Sequence, residues 1–315
     1  MHEIAVVIKS TGKWYIIERN DGTLSKARIR GKIRLEGLRT TNPVAVGDRV
    51  LIDSSPDEEG NLLILSIEPR RNYIVRKSTN LSKQMQILAA NVDHAYLIVT
   101  LNAPVTHLAF IDRFLVSAES FRIPCTLLFN KIDTYDEAGL QLVDEIISIY
   151  EHVGYRCVKI AAELQHNVDF LREEINGNQV MIAGHSGVGK STLVNALDGT
   201  LNLRTGEISM AHLQGQHTTT FAEMHKLSSG GYIIDTPGIR AFGIIELDKD
   251  VISHYFPEMR DLIGACKFHN CQHFNEPKCA VKAAVEAGEI PASRYQTYTQ
   301  LILEDESEIH RKANH

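Results

Sequence analysis

The stretch G-H-S-G-V-G-K-S-T at residues 184–192 constrains this chain most, because a glycine loop closing on Lys190 and Ser191 needs a strand before it and a helix after it. The run V-M-I-A directly upstream supplies the strand. In that setting Gly184, His185, Ser186, Gly187, Val188 and Gly189 form a loop whose backbone N–H groups can close around phosphate. Lys190 then reaches the outer phosphates, Ser191 Oγ can ligate Mg²⁺, and Thr192 continues the first helical turn. The loop alone does not say which nucleotide.

Two shorter motifs complete a nucleotide site. Asp235-Thr236-Pro237-Gly238 ends the apolar run Y-I-I, which puts a carboxylate at a strand tip near Mg²⁺ and a glycine N–H where a γ-phosphate would lie. Asn130-Lys131-Ile132-Asp133 follows the strand C-T-L-L-F. An aspartate there accepts guanine N1–H and N2–H₂, the asparagine braces the loop, and the lysine stem can cover the ring. Adenine would set its N1 acceptor against the carboxylate, a mismatch that a buried site rejects strongly. GTP is the nucleotide expected.

Order along the chain is unusual. Ras-like GTPases present the phosphate loop, switch I, D-x-x-G and then N-K-x-D; here N-K-I-D comes first, followed by the phosphate loop, H-T-T-T and D-T-P-G. A circular permutation explains this, since it preserves a sheet when the old termini are close and the new cut falls in a surface connection. Between residues 92 and 183, short apolar strands alternate with helical stretches, as in a mostly parallel α/β sheet.

The flanks have different textures. Residues 1 to about 70 hold short β-rich runs broken by turn signals such as Asn20-Asp21-Gly22, which suggests a small β-barrel. Within it Lys26, Arg28, Arg30, Lys32 and Arg34 recur at a period of two, so an extended strand would carry a cationic ladder on one face. The formal charge of −6 hides this asymmetry: residues 1–80 carry 14 Lys and Arg against 10 Asp and Glu, leaving −10 on the remainder. The front is therefore the expected polyanion contact. Trp14 and Tyr15 could stack a base or pack a core. At the other end Cys266-x4-Cys271-x-His273-x5-Cys279 offers three thiolates and an imidazole, a tetrahedral set suited to one structural Zn²⁺, with His269 in reserve. Cys125 and Cys157 lie in apolar runs and read as inert packing residues. The stretch 295–311 reads as an amphipathic helix.

With Gly215-Gln216-His217-Thr218-Thr219-Thr220, the permuted order, the basic barrel and the Cys/His spacing, the chain resembles the ribosome small subunit-dependent GTPase A (RsgA) family over nearly its whole length. The resemblance implies an OB-fold at 1–72 that binds rRNA, a circularly permuted GTPase domain at 73–245 and a mainly helical zinc domain at 246–315. It further implies late maturation of the 30S subunit, contact with 16S rRNA, and a GTP/GDP cycle. It puts Mg²⁺ and γ-phosphate contact on Thr219, with Thr218 the near alternative. Two departures matter. The base-side loop is Ala161-Ala162 rather than Ser-Ala, which keeps N–H contact to guanine O6 but loses the hydroxyl. Ile239 stands where Ras-like enzymes place a water-orienting glutamine, so the free protein should turn over slowly, with His217 a candidate for water positioning. The competing reading is an RNA-binding module that uses GTP as a structural ligand. The opening M-H-E-I-A-V-V-I-K-S has no basic n-region and no apolar run approaches a membrane span, so a cytoplasmic monomer with no membrane contact is expected.

Overall fold

The computed structural model describes residues 2–31, 42–77, 85–201, 223–235 and 249–313. Five strands, β1 (His2–Ser10), β2 (Tyr15–Glu18), β3 (Leu24–Ile29), β4 (Arg49–Asp53) and β5 (Leu62–Ile67), form the N-terminal barrel. They lie in the order β1-β2-β3-β5-β4, and β4 pairs back onto β1 to close the ring. Closure removes the free edges that make isolated sheets aggregate. Period-two alternation fills the interior: Tyr15 and Ile17 from β2, Ala27 from β3, and Val50 and Ile52 from β4 share one core.

The cationic strand follows its expected pattern only in part. Around fully buried Ala27, Lys26 and Arg28 point outward, and Arg30 is exposed while its N–H still reaches Ile64 O at 2.9 Å. Gly31 then turns the chain with φ at +72°, a backbone that other residues rarely adopt. Lys32 and Arg34 lie outside the described residues. Tyr15 proves to be core, whereas Trp14 is partly exposed with Lys26 Nζ 4.0 Å from its ring centroid. A hairpin that the sequence pattern did not signal, β6 (Tyr73–Lys77) with β7 (Met85–Ala90), separates barrel from central sheet.

The central sheet is built from β8 (His94–Val99), α1 (Leu108–Ser120), β9 (Cys125–Phe129), α2 (Glu137–His152), β10 (Arg156–Lys159), α3 (Asp169–Ile175), β11 (Gln179–Ala183), α4 (Lys190–Leu197), β12 (Glu223–Lys226) and β13 (Tyr232–Asp235). Its order is β10-β9-β8-β11-β13-β12, parallel except for the β12–β13 hairpin. Alternate residues of β8 serve opposite faces. Ala95, Leu97 and Val99 pack with α1 and α2, while Tyr96 and Ile98 pack with α3 and α4. The chain runs outward from β8 to β10 and then returns on the other side of β8 as β11. That reversal opens a crevice at the strands' C-terminal ends, where open α/β sheets bind ligands.

Barrel and central sheet are continuous through β1, which pairs with β12 at Lys9 and Glu223. Lys9 Nζ meets Glu223 at 2.6 Å, and Lys226 pairs with Glu18 across the same joint. The C-terminal region comprises α5 (Lys249–Ile252), α6 (Pro257–Arg260), α7 (Ala280–Glu286) and α8 (Ala292–Ala313). Its core of Ile252, Phe256, Met259, Tyr298 and Ile302 includes Val116 of α1, so it docks on the central domain rather than hanging from it. No helix among the described residues is long and apolar enough to cross a membrane.

Candidate functional site

The four loops that matter leave the same edge of the sheet. N-K-I-D follows β9, Ala161 and Ala162 follow β10, the glycine loop follows β11, and Asp235 ends β13. Only β8 separates β9 from β11, so the guanine-type loop and the phosphate-type loop stand about 10 Å apart across two strand spacings. Asp133 is exposed in a short 3₁₀ turn, Ile132–Thr134.

The phosphate loop has the backbone its sequence demands. Gly184, Gly187 and Gly189 adopt φ of +144°, +85° and +103°. A side chain at Gly184 would strike Ile98 O at 2.8 Å, and one at Gly189 would strike Asn130 Nδ2 at 2.4 Å. These glycines thus provide close approach as well as left-handed backbone. Lys190 Nζ donates to Gly184 O at 2.8 Å and His185 O at 2.6 Å, which holds the ammonium over the loop. Val188 is fully buried, Ser191 is buried in the first turn of α4, and the His185 ring lies 3.9 Å from that of Phe110 in α1.

Asn130 joins the two halves. Its buried side chain donates through Nδ2 to Val188 O at 2.8 Å and accepts through Oδ1 from Ala162 N–H at 3.0 Å. One amide therefore braces the phosphate loop and the base-side loop together, a wider role than bracing its own loop. Ala161 and Ala162 are buried, and Ala161 exchanges two backbone bonds with His166 at 3.2 and 3.0 Å. Lys131, left-handed at φ +64°, donates from Nζ to Ala103 O at 2.7 Å. His217, Thr218, Thr219 and Gly238 lie outside the described residues.

The Cys/His cluster assembles from one turn and the start of α7. The ligand atoms of Cys266, Cys271, His273 and Cys279 lie within 4.8 Å of one another, and His269 is not among them. His273 is buried with φ at +56°, and Tyr295 OH donates to its carbonyl at 2.8 Å. The N–H groups of Ala280 and Lys282 point at Cys266 Sγ and Cys279 Sγ, at 3.3 and 3.5 Å. Burial pushes the Cys271 thiol up to about 12, a cost that a divalent cation would reverse by stabilising thiolate. The four residues can thus hold a metal. Elsewhere, burial pushes the Cys125 and Cys157 thiols up as well, Cys157 to about 12, as befits inert packing residues.

Sequence reasoning missed a buried charge network. Arg294 in α8, fully buried, donates from Nη1 to Asp112 of α1 at 2.9 Å, and from Nε and Nη2 to Glu258 of α6 at 2.7 and 3.1 Å. Asp112 also accepts from Tyr150 OH at 3.0 Å and Thr297 Oγ1 at 2.6 Å. Asp112, Glu258 and Arg294 are far apart in sequence and sit in no motif, so no local signal announces them.

Comparison with known proteins agrees with this geometry. The model of the RsgA GTPase family matches residues 67–245, and that of the RsgA N-terminal domain matches residues 6–62. The small ribosomal subunit biogenesis GTPase RsgA of Bacteroides fragilis is 50% identical over 308 residues, covering 98% of this chain and 99% of its own. Its counterpart in Christiangramia forsetii is 51% identical over 306 residues, covering 97% of each chain. Among solved structures, YjeQ from Thermotoga maritima superposes with a TM-score of 0.78 at 35% identity, over 96% of this chain and 98% of that one. YloQ, described as a circularly permuted GTPase, gives 0.74 at 26% identity over 98% and 96%.

Proposed function

The chain belongs to the RsgA family of GTPases, and from that premise we propose that it hydrolyses GTP as a late maturation factor of the small ribosomal subunit, through the residues its motifs single out. The observation that carries this reading is Asn130, whose buried amide ties the guanine-type loop to both the phosphate loop and Ala162. In this reading Asp133 reads the guanine edge, Ala161 and Ala162 shape the loop beside O6 while their own N–H groups are held by His166 O and Asn130 Oδ1, and residues 184–189 with Lys190 hold the phosphates. Ser191 and Thr219 ligate Mg²⁺, Asp235 supports that ion, Gly238 senses the γ-phosphate, and His217 is the candidate for positioning water. Hydrolysis needs charge neutralisation and an oriented water, and Ile239 cannot orient water. The 30S subunit therefore supplies or orders the missing group.

The barrel is the 16S rRNA contact in this reading, with Lys26, Arg28 and Arg30 among its cations; Lys32 and Arg34, outside the described residues, are further candidates. Arg28 also pairs with Asp57 at 2.9 Å, so it contributes less free charge than the pattern alone suggests. The metal is one structural Zn²⁺. Zn–S bonds of about 2.3 Å in a tetrahedron require sulfur–sulfur edges near 3.8 Å and sulfur–nitrogen edges near 3.5 Å. The Cys266–Cys279 separation is 3.8 Å, and His273 Nδ1 lies 3.4 Å from each of those sulfurs. Four protein ligands leave no open position for chemistry. Domain limits of 1–72, 73–245 and 246–315, a cytoplasmic location and a monomeric state complete the proposal.

Single-turnover GTP hydrolysis with and without purified 30S particles tests it. Stimulation of at least tenfold is expected; equal rates would remove the assembly-factor role while leaving the family assignment intact.

A further inference from the structure

A nucleotide that reaches from the N-K-I-D loop after β9 to the glycine loop after β11 must pass over the end of the strand between them, which is β8. The chain leaving β8 is therefore placed beneath the nucleoside, although residues 100–106 contain no nucleotide motif. Their structure is closed on itself. Thr100 N–H donates to Thr106 Oγ1 at 3.2 Å, Thr106 N–H returns to Thr100 O at 2.8 Å, and Thr100 Oγ1 donates to Pro104 O at 2.6 Å. The tip touches both halves of the site. Ala103 O accepts Lys131 Nζ at 2.7 Å, and a Cβ on Gly187 would lie 3.5 Å from Pro104 Cδ.

One side chain fastens this loop to the guanine side. Tyr135, half-buried two residues after Asp133, accepts from Leu101 N–H at 2.8 Å and donates to Asn130 O at 3.3 Å. Asn130 is the residue whose amide braces the phosphate loop, so the phenol extends that brace to a third loop. Ala103 and Lys131, joined by the ammonium–carbonyl bond, both hold positive φ, at +37° and +64°. Non-glycine residues persist in that region only where the surroundings over-determine them, as the Lys131–Ala103 bond and the closed 100–106 loop do here.

We propose that residues 100–106 form the nucleoside-facing wall of the GTP site, and that Tyr135 is a positioning residue that sets this wall and, through Ala103, the Lys131 stem. The proposal rests on the GTP reading above. Tyr135 touches no reacting atom, so its loss should weaken nucleotide retention and leave the chemical step nearly unchanged.

The test uses the full-length protein and GDP as probe. Tyr135→Phe keeps the ring and removes both hydroxyl bonds, and is expected to weaken GDP binding about tenfold, mainly by faster release. The hydrolysis rate at saturating GTP should fall by less than twofold. Thr100→Val loosens the same loop from its other end and should raise the GDP dissociation constant by a similar factor. The double variant should be less damaged than the product of the two, because both act on one loop. GDP affinity equal to wild type in both single variants would overturn the proposal. So would loss of affinity in Tyr135→Phe matched by a fall in the melting temperature of the nucleotide-free protein, with Thr100→Val unaffected. Absence of GDP binding by the wild-type protein would instead sink the GTP reading.

Discussion

At the scale of single residues the site depends on one amide. Asn130 Nδ2 and Oδ1 satisfy a carbonyl and an N–H that would otherwise be buried without partners, and each orphan costs about 1–3 kcal/mol. Asn130→Ala should therefore weaken GDP binding by about 100-fold and lower the melting temperature; isothermal titration and thermal unfolding would read both, and an unchanged affinity would count against the bracing role. Asn130 was legible in the sequence because four adjacent residues form a motif with a known chemical task. Its reach to Val188 and Ala162 was not, because those partners lie 58 and 32 residues away and only the order of strands brings them together. The same limit hid Tyr135. A tyrosine two residues past a motif reads as ordinary packing until its hydroxyl is seen between two loops.

At the scale of elements, contacts between secondary structures decide which parts move together. Helix α1 touches the phosphate loop through Phe110 and the metal-binding region through Asp112, two residues later. Arg294 is enclosed by Asp112 and Glu258, and the rings of Tyr150, Tyr155 and Phe256 surround its guanidinium. Arg294→Met would strand two buried carboxylates, and a loss of about 3–5 kcal/mol in unfolding by urea is expected. A change below about 1 kcal/mol would show that this network adds little. A second tie joins the end of α4 to the β12–β13 turn. Asp198 accepts from Thr200 Oγ1 and N–H at 2.6 and 2.9 Å and from Ser228 N–H at 2.6 Å. Those bonds, the Thr200 hydroxyl first, hold its carboxyl down at about 2. A depressed carboxylate stabilises the fold fully above its unfolded value of about 3.9, and the contribution is lost as pH falls through about 2. Asp198→Asn should flatten the dependence of melting temperature on pH between about 4 and 2; an unchanged slope would remove Asp198 from the acid response. The strand-and-helix alternation of this region was readable from apolar runs. The β6–β7 hairpin was not, since its connecting residues carry no tight-turn signal.

At the scale of the whole molecule, two bodies meet the nucleotide domain through different joints. The barrel joins by a strand pairing at β1–β12 with two ion pairs, of which Lys9–Glu223 is exposed enough to be weak while Lys226–Glu18 has a buried carboxylate, and β12 leads through its hairpin to Asp235. The metal-binding region joins by a buried network on α1, with its own core of Phe256, Met259 and Tyr298. That core does not depend on the Cys/His turn alone, and the cluster contributes Cys279 to it and leaves Cys271 at the rim. Loss of the metal should therefore loosen the turn without undoing the docking on α1. For Cys271→Ser we expect substoichiometric zinc by elemental analysis and faster proteolysis confined to residues 262–280, with GDP affinity within about threefold of wild type. Stimulation by 30S particles should fall with the zinc content if that turn contacts the subunit alongside the barrel. Full stimulation in a zinc-free variant would leave the barrel as the docking element and reduce the metal to a local staple.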